Sequence, residues 1–433
     1  MSSNQEASNA MDDNKPTRAP KLRFPEFREA EGWKELAGDA LFNQINNRKP
    51  EPGLPVLAIT QEHGAIPRHL IDYHVSVSEK SIESYKVVRV GDFIISLRSF
   101  QGGIEYSHYH GICSPAYVIL RRSHNGVSEY FKHYFKTERF IRLLTKNLEG
   151  LRDGKMISYT QFSALLIPVP SLPEQQKIAD CLSSLDELIA AQSRKVDTLK
   201  THKKGLMQQL FPRERETQPR LRFPEFKSVG GWEEKPFSNL CSIKHGFAFD
   251  GEFFSNEGEY VLLTPGNFYE DGGYRDRGDK QKYYSGEIPQ DYILNCGDLL
   301  LAMTEQAAGL LGSPILVPES DKFLHNQRLG LVRKRPGVAW MTEFFFHVFN
   351  TLPVRKAIHA SAAGAKVRHT SPTKIGEVVF HFPNSLLEQQ RIVGCLTTLD
   401  DLITAQTKKL EALKTHKKGL IQQLFPSIEV VEA

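Results

Sequence analysis

Two loops at matching places in the chain carry side chains that can exchange hydrogen bonds with nucleobases. One loop reads Arg98-Ser99-Phe100-Gln101-Gly102-Gly103 and the other Thr304-Glu305-Gln306-Ala307-Ala308-Gly309. Arginine pairs with guanine, glutamine with adenine and glutamate with cytosine. Different polar residues in equivalent loops therefore predict readers of different bases, although loops that only turn the chain explain the glycines equally well. The predicted base contacts are Arg98, Ser99, Gln101, Thr304, Glu305 and Gln306.

Further candidates come from cations that follow glycine late in each half of the chain. Lys155 lies in Gly154-Lys155-Met156, and Lys366 and Arg368 lie in Gly364-Ala365-Lys366-Val367-Arg368. A phosphate contact needs only a cation and sets position rather than sequence, so these three residues are predicted phosphate contacts. Asn326 and Arg328 are additional predicted readers.

No constellation of residues predicts catalysis by this chain. The sequence lacks a Gly-x-Gly-x-x-Gly turn, a phosphate-binding Gly-x-x-x-x-Gly-Lys loop, a His-Glu-x-x-His helix and a Cys-x-x-Cys pair. His108-Tyr109-His110 is not part of a His-Glu-x-x-His or Cys-x-x-Cys motif, and we do not predict a metal site there. We therefore predict a non-catalytic chain without a metal or other cofactor of its own.

The elements that must position these loops occur twice. Leu22-Arg23-Phe24-Pro25-Glu26-Phe27 recurs at 221–226, an offset of 199 residues (24 to 223), and each copy then reaches a Gly-Trp pair. Thr201-His202-Lys203-Lys204-Gly205-Leu206 recurs at 415–420, an offset of 214 (201 to 415). The second copy thus has 15 extra residues between similar ends. Each half is long enough to be a domain with its own core.

A helical pattern begins after a proline-rich segment in each copy. Ser171 and Glu174 fit a capping box, and Ser385 and Glu388 repeat it. Apolar residues then alternate in steps of four and three, which predicts a coiled-coil seam in each of two long antiparallel helices. The predicted seam residues are Leu182, Leu185, Ile189, Gln192, Leu199, Leu396, Leu399, Ile403, Gln406 and Leu413.

Polar residues interrupt this seam at equivalent positions. Gln192 matches Gln406, and Lys203 matches Lys417. Two interpretations stay open. Such residues can select the register and orientation of the partner helix, or they can extend to solvent from a loosely packed end.

Between the repeated ends, short β patterns alternate with turns and a few helices. Gly91-Asp92 and Gly297-Asp298 each precede a predicted buried strand. The aromatic stripes 130–135 and 344–348 are predicted core, and Cys181 and Cys395 small buried hydrophobic residues. The predicted fold class is α+β: two globular α/β domains separated by two long antiparallel coiled-coil helices, with an internal pseudo-two-fold repeat. The predicted segments are tail 1–20, head 21–170, helix 171–212, linker 213–220, head 221–383, helix 384–426 and tail 427–433.

Composition is compatible with binding a polyanion but does not require it. The 433 residues have a formal net charge of +4, which permits nucleic acid as a partner. No apolar run is long enough to span a bilayer, and no signal segment opens the chain. We therefore expect a soluble, cytoplasmic protein with no membrane partner.

Together these motifs resemble one known family, the specificity subunits of type I restriction-modification systems. The resemblance is carried by the Arg-Phe-Pro-Glu-Phe and Gly-Trp segments, the Gly-Asp strands, the duplicated helix starts Glu174-Gln175-Gln176-Lys177-Ile178 and Glu388-Gln389-Gln390-Arg391-Ile392, and the Lys-Lys-Gly-Leu ends. It implies that each head is a target-recognition domain for one half of an asymmetric, bipartite site in double-stranded DNA. The half-site centres should then lie about one helical turn, roughly 34 Å, apart.

The resemblance also implies partners. The long helices would fix the gap between the half-sites and dock two methyltransferase (modification) subunits, which bind S-adenosylmethionine. Separate motor-nuclease (restriction) subunits would use ATP and Mg²⁺. None of these cofactors is expected to bind this chain.

Two other classes of function remain as alternatives. An autonomous nuclease or methyltransferase would show activity on DNA as the purified chain. A non-catalytic coiled-coil scaffold or sequence-blind DNA clamp would bind DNA with an affinity that depends on salt but not on sequence.

Overall fold

The computed structural model describes residues 19–71, 82, 84–123, 126–146, 157–364 and 367–426. The predicted tail 427–433, most of the tail 1–20 and the predicted phosphate contacts Lys155 and Lys366 lie outside the described residues. In the part of the chain that is described, no helix is both long and apolar enough to cross a membrane.

The first head consists of short strands and helices that precede the first long helix. Its strands are β1 (Lys34–Ala37), β2 (Phe42–Ile45), β3 (Leu57–Thr60), β4 (Gly64–Pro67), β5 (Lys86–Val88), β6 (Phe93–Ile95), β7 (Glu105–Tyr106), β8 (Gly111–Cys113), β9 (Val118–Arg122) and β10 (Leu166–Val169). Its helices are α1 (Gly38–Leu41), α2 (Ser99–Gly102), α3 (Ser128–Tyr134), α4 (Glu138–Lys146) and α5 (Tyr159–Ser163). The long helix α6 (Leu172–Leu210) follows.

The second head has a similar order of elements. Its strands are β11 (Glu233–Pro236), β12 (Cys241–His245), β13 (Phe254–Ser255), β14 (Tyr260–Leu262), β15 (Tyr283–Tyr284), β16 (Leu299–Ala302), β17 (Pro314–Leu316), β18 (Phe323–Leu324), β19 (Leu329–Lys334) and β20 (Val379–Phe382). Its helices are α7 (Phe237–Leu240), α8 (Thr342–Phe349), α9 (Leu352–Ser361) and α10 (Pro372–Gly376), and the second long helix is α11 (Leu386–Leu424).

The two heads share one sheet framework. An antiparallel sheet has the order β2-β9-β6-β7 in the first head and β12-β19-β16-β17 in the second, while the pair β1-β10 corresponds to β11-β20. The remaining strands differ: the first head has the separate pairs β3-β4 and β5-β8, and the second has one sheet of order β13-β15-β14-β18. The heads therefore differ in the strands added to a common framework.

The Gly-Asp pairs make the turn that leads into the central strand of each framework. Gly91 has φ +90° and Gly297 has φ +82°, a region that side chains other than glycine enter only with strain. The following carboxylate closes the turn, because Asp92 accepts a hydrogen bond from the Arg89 amide (2.8 Å) and Asp298 from the Asn295 amide (2.9 Å).

The chain divides into two compact units, and each contains one head with parts of both long helices. Residues up to Ser193 and those from Lys408 form the first unit, and Arg194–Thr407 forms the second. The predicted aromatic core of the heads is confirmed, since Tyr130, Phe131, Phe344 and Phe345 are fully buried. All five cysteines are free thiols, but Cys181 and Cys395 are only half-buried, because they lie beside the buried row rather than in it.

The long helices run antiparallel within each unit. In the first unit Lys417 forms an ion pair with Asp186, and the later residues Leu420 and Leu424 share a core with the earlier residues Leu182 and Ile178. In the second unit Lys203 Nζ lies 2.5 Å from Asp400 Oδ1, while Leu206 and Leu210 pack with Leu396 and Ile392. The two ion pairs are related by the offset of 214 (186 to 400, 203 to 417), which favours the interpretation that the seam lysines select register.

The predicted seam coincides with the less exposed face of both helices. Leu182, Leu185, Gln192 and Leu396 are buried. The others are half-buried: Ile189, Leu199, Leu399, Ile403, Gln406 and Leu413. Each helix has 39 residues, which corresponds to a length of about 58 Å.

Each head is fastened to its long helix by a buried carboxylate. Arg23 Nε and Nη2 each donate a 2.7 Å hydrogen bond to the two carboxylate oxygens of Glu174, and Trp33 Nε1 donates to Glu174 Oε1 at 3.2 Å. Glu174 is 1% exposed. The second unit repeats the arrangement with Arg222, Trp232 and Glu388 at 2.7 to 3.0 Å. We call each set a carboxylate node.

The capping box predicted at the start of each long helix is wrong for its glutamate. The Glu174 and Glu388 side chains bind the Arg and Trp of the repeated opening segments instead of their own helix start. Ser385 still caps its helix, because its hydroxyl accepts from the Glu388 amide at 3.3 Å. Spacing along one helix could not reveal partners that lie 151 and 141 residues away in the sequence.

The glutamine that follows each node fastens a different part of the head. Gln175 Oε1 accepts from the Val127 amide at 2.9 Å, and its Nε2 donates to the Pro170 carbonyl at 2.9 Å. Gln389 does the same with the Met341 amide (2.9 Å) and the Pro383 carbonyl (3.0 Å). Consecutive Glu and Gln residues thus tie the start of the head, a head helix and the last strand to one helical turn.

Breaking a carboxylate node should destabilise its unit strongly. Glu174→Leu removes the carboxylate that accepts from Arg23 and Trp33, and the Arg23 guanidinium keeps only the Ala30 and Glu31 carbonyls as acceptors. We expect the free energy of unfolding of the first unit to fall by about 3 kcal/mol. The double variant Arg23→Met/Glu174→Leu should recover part of this loss. Urea unfolding followed by circular dichroism measures both, with Gln176→Leu on the same turn as the exposed control. A Glu174→Leu variant as stable as this control would show that the node is dispensable.

Candidate nucleic-acid interface

Five of the predicted contact residues come together at one end of the framework sheet in the second unit. They are Thr304, Glu305, Asn326, Arg328 and Arg368. The Met303 amide donates to the Arg328 carbonyl at 2.9 Å, and the Glu305 amide donates to the Arg368 carbonyl at 2.9 Å. The segment after β16 therefore lies between the segment before β19 and the segment before α10.

Within this cluster, some residues are exposed and others support them. Arg328, Arg368 and Gln306 are exposed, whereas Thr304 and Asn326 are buried. Asn326 Oδ1 accepts from the Arg328 amide at 3.0 Å, and Thr304 Oγ1 lies 3.3 Å from His369 Nδ1. The structure thus gives Asn326 and Thr304 positioning contacts, which argues against them as direct base contacts.

A neighbouring histidine contacts two charged residues of the cluster. The Arg368 guanidinium lies 2.9 Å from His359 Nδ1, and His359 Nε2 lies 3.7 Å from Glu305 Oε1. His359, His369 and Gln327 are exposed or half-exposed residues here that the predicted contact set omitted. Gln327 precedes Arg328 and His369 follows Arg368 in the sequence. Their position next to predicted contacts was the sequence signal that could have identified them.

The turn that carries Glu305 and Gln306 is held rigidly. Glu305 Oε1 accepts from the Gly309 amide at 3.3 Å, and the Gly309 carbonyl accepts from the Arg355 guanidinium. Gly309 has φ +81°, and a Cβ there would lie 2.4 Å from Glu270 Oε1. Burial lowers the pKa of Arg355 to about 10, which still leaves it charged at neutral pH.

A buried histidine supports the segment that leads to Arg328. His325 is fully buried, and its Nε2 lies 3.0 Å from the Leu329 carbonyl. The Phe247 amide donates to the His325 carbonyl at 2.9 Å. Gly246 is required beside it, because a Cβ there would lie 2.0 Å from the Asn326 carbonyl oxygen. Burial lowers the pKa of His325 to about 4, so it is neutral at neutral pH.

In the first unit the predicted loop is the short helix α2. Arg98 and Gln101 are exposed, as a contact surface requires. Ser99 is 1% exposed and its hydroxyl accepts from the Ser96 amide at 2.9 Å, so its prediction as a base contact is not supported by its position. Lys136 Nζ, paired with Glu105 at 2.5 Å, donates to the Gly102 carbonyl at 2.9 Å and fastens α2 to the framework.

The long helices expose apolar side chains at equivalent positions. Leu188 in the first unit is 58% exposed and Leu402 in the second is 40% exposed; their numbers differ by the repeat offset of 214. Within the described ranges, no three His, Cys, Asp or Glu residues are placed to hold a metal ion.

Comparison with known proteins gives consistent matches over nearly the whole chain. Residues 35–201 and 230–415 each match the type I restriction modification DNA specificity domain. The chain is 23% identical over 421 residues to the putative type I restriction enzyme MjaX specificity subunit of Methanocaldococcus jannaschii, covering 92% of both chains. It is 22% identical to the MjaVIII specificity subunit of the same organism, covering 92% of this chain and 93% of that one. The EcoBI specificity subunit of Escherichia coli is 28% identical over 197 residues, 45% of this chain and 38% of the relative.

Solved structures have the same fold. The crystal structure of a type I restriction-modification system S subunit from M. genitalium matches with a TM-score of 0.54 at 14% identity, covering 95% of this chain and all of that one. A chain from a study of complex assembly and conformational transition of the type I R-M system matches with a TM-score of 0.53 at 17% identity, covering 94% and 100%. The predicted fold class, with its two target-recognition domains, long antiparallel helices and internal repeat, is confirmed.

The neutral His325 makes the stability of the second unit depend on pH. An unfolded histidine titrates near 6.5, so between about pH 6.5 and 4 the unfolded chain binds the proton that the folded chain excludes. The free energy of unfolding should therefore fall as the pH is lowered through this window. His325→Gln keeps a donor for the Leu329 carbonyl but does not titrate. The free energy of unfolding of this variant should therefore lie below that of the wild type by about 2 kcal/mol less at pH 5.0 than at pH 7.5.

Urea unfolding at the two pH values measures this difference. His202→Gln, at an exposed position in the same unit, is the matched histidine-to-glutamine control. A constant difference between the wild type and His325→Gln across this pH range would contradict the assignment of a neutral buried imidazole.

Proposed function

Because the chain belongs to the family of type I restriction modification DNA specificity domains and contains two of them, we propose that it is the non-catalytic, sequence-specific DNA-recognition subunit of a type I restriction-modification complex. The observation that carries this proposal is internal to the chain. One framework sheet, repeated with the same strand order, has different exposed side chains at the same end, Arg98 and Gln101 in one head and Gln306 and Arg328 in the other.

Each head reads one half of a bipartite target in double-stranded DNA. Arg98 and Arg328 have the guanidinium geometry that pairs with guanine in the major groove, and Gln101 and Gln306 have the amide that pairs with adenine. Arg368 makes a phosphate contact that sets register, a role also proposed for Lys155 and Lys366. Because the two heads carry different residues, the two half-sites differ.

The long helices set the gap and dock the partners. Their seam and the two related ion pairs fix the register of α6 against α11, so the distance along the DNA is built into the helices. Leu188 and Leu402 are equivalent exposed anchors, one for each of two methyltransferase subunits. These partners supply S-adenosylmethionine-dependent methylation of adenine, and motor-nuclease subunits that join the complex use ATP and Mg²⁺.

Variants of the two heads should change different half-sites. In complexes assembled with the methyltransferase subunits, Arg98→Ala should relax base preference in one half-site and Arg328→Ala in the other, each by about 1 to 3 kcal/mol of discrimination. Single-molecule methylation sequencing of a randomised DNA library reads both half-sites at once. The exposed Lys322, paired with Glu319 at 2.8 Å, gives the control Lys322→Ala. An equal, sequence-independent loss in both half-sites would support the sequence-blind clamp instead.

Replacing an exposed anchor leucine by aspartate should prevent binding of the methyltransferase subunit at that anchor. Leu188→Asp and Leu402→Asp should each leave a complex with one methyltransferase subunit, and the double variant should bind none, because a buried apolar anchor contributes about 2 kcal/mol or more to an interface. Native mass spectrometry counts the subunits. Leu70→Asp, at a 53% exposed position in the first head, is the control. Full occupancy in both single variants would place the docking surface elsewhere.

A further inference from the structure

The second unit contains an open groove that the sequence motifs did not indicate. It has a volume of about 740 Å³ and lies between the segment 275–280 and the segment 306–310. One side carries Arg275, Arg277 and Lys280, and the other carries Gln306, a predicted base contact. We call the segment 275–280 the basic wall and the segment 306–310 the glutamine wall.

The basic wall is held in place by two buried amide side chains. Asn267 is 1% exposed, and its Nδ2 donates to Gln281 Oε1 at 3.0 Å and to the Arg275 carbonyl at 3.3 Å. Its Oδ1 accepts from the Thr264 amide at 3.0 Å, and the Arg275 amide donates to the Asn267 carbonyl at 2.7 Å. A buried amide with this many partners fixes the backbone that carries the cations.

The glutamine wall is held independently. Glu305 and Arg355 both bind Gly309, as described for the candidate interface, and Ser313 Oγ donates to the Tyr269 carbonyl at 2.6 Å. Both walls are therefore rigid before any ligand arrives, which reduces the ordering cost of binding.

The side chains that face the groove have unused donors. Across the part of the chain that the structure describes, no residue accepts a hydrogen bond from the Arg277 guanidinium, and the Gln306 side-chain amide also has no hydrogen-bond partner. Arg277 lies against Gly266, where an added Cβ would be 3.0 Å from Arg277 Nη1. Arg275 lies 5.9 Å from the ring of Tyr269, which is 53% exposed.

The charges of the groove distinguish between base edges and phosphates. Its three cations are balanced by three carboxylates, Glu270, Asp276 and Asp279. A phosphate strand would meet carboxylates along with the cations, whereas base edges offer both donors and acceptors. The mixed lining therefore fits bases better than backbone.

We infer that this groove is a second base-reading surface of the second head, in which Arg277 contacts a guanine and Gln306 contacts the neighbouring base pair. The inference rests on the proposed function and extends the specificity determinants to the basic wall. The guanidinium supplies two parallel donors to guanine O6 and N7. The fixed walls hold Arg277 and Gln306 on opposite sides of the groove, so they would read adjacent positions.

The test compares Arg277→Ala, Arg277→Lys and Gln306→Ala in the assembled complex with the methyltransferase subunits. Methylation of the randomised library is sequenced, and the half-site read by the second head is the one that Arg328→Ala relaxes. We expect Arg277→Ala to lose about tenfold discrimination at one guanine position of that half-site, and Gln306→Ala at the adjacent position. Arg277→Lys should not restore discrimination, because a lysine lacks the bidentate fork. Lys322→Ala is the control, and thermal unfolding confirms that each variant is folded.

Other outcomes overturn the inference in distinguishable ways. A uniform fall in affinity with a shallower salt dependence, rescued by Arg277→Lys, would make Arg277 a phosphate contact. An unchanged half-site would show that the groove does not touch DNA. A wild-type complex that methylates without sequence preference would overturn the proposed function together with this inference.

Discussion

The buried carboxylate at the start of each long helix is the constraint on which the rest of the structure depends. A carboxylate as buried as Glu174 is tolerated only when its oxygens are fully used, because an unpaired buried charge costs several kcal/mol. Arg23 and Trp33 donate hydrogen bonds to the Glu174 carboxylate, and Arg222 and Trp232 donate the equivalent bonds to Glu388. The pKa of Arg23 is raised by its hydrogen bond to Glu174, as expected when the cation is favoured by its partner.

This constraint separates the parts of a head that must match from the parts that can differ. The carboxylate node and the adjacent glutamine fasten the start, a middle helix and the last strand of each head to the helix. The framework sheet between these attachment points has the same strand order in both heads. The hydrogen bonds of the carboxylate nodes and adjacent glutamines include none from the added strands. The two heads can therefore differ in their added strands and exposed loops while each keeps the same attachment to its long helix.

The sequence predicted those features that depend on periodicity and failed on those that depend on long-range polar contacts. The seam and the aromatic cores follow from apolar spacing, and the structure buries the aromatic cores fully and the seam in part. Ser99 was predicted to be a contact because it belongs to the loop that follows β6, but it is buried and its hydroxyl accepts from the Ser96 amide. The basic wall was missed, since Arg275 and Arg277 lie in a segment without periodicity and are ordered by Asn267 and Gln281, whose burial no local pattern reveals.

The two interhelical ion pairs illustrate the difference between stability and register. Lys203 and Asp400 are both partly exposed, at 19% and 43%, so their pair contributes little to the free energy of folding, of order 1 kcal/mol or less. These ion pairs instead favour one register, because a shifted helix would lose them. A slip of one heptad would move Lys203 from Asp400 to Val393 or Thr407, and Lys417 from Asp186 to Ala179 or Ser193, so both lysines would lose their aspartate partners. A weak pair at two equivalent places thus disfavours such a slip in both units.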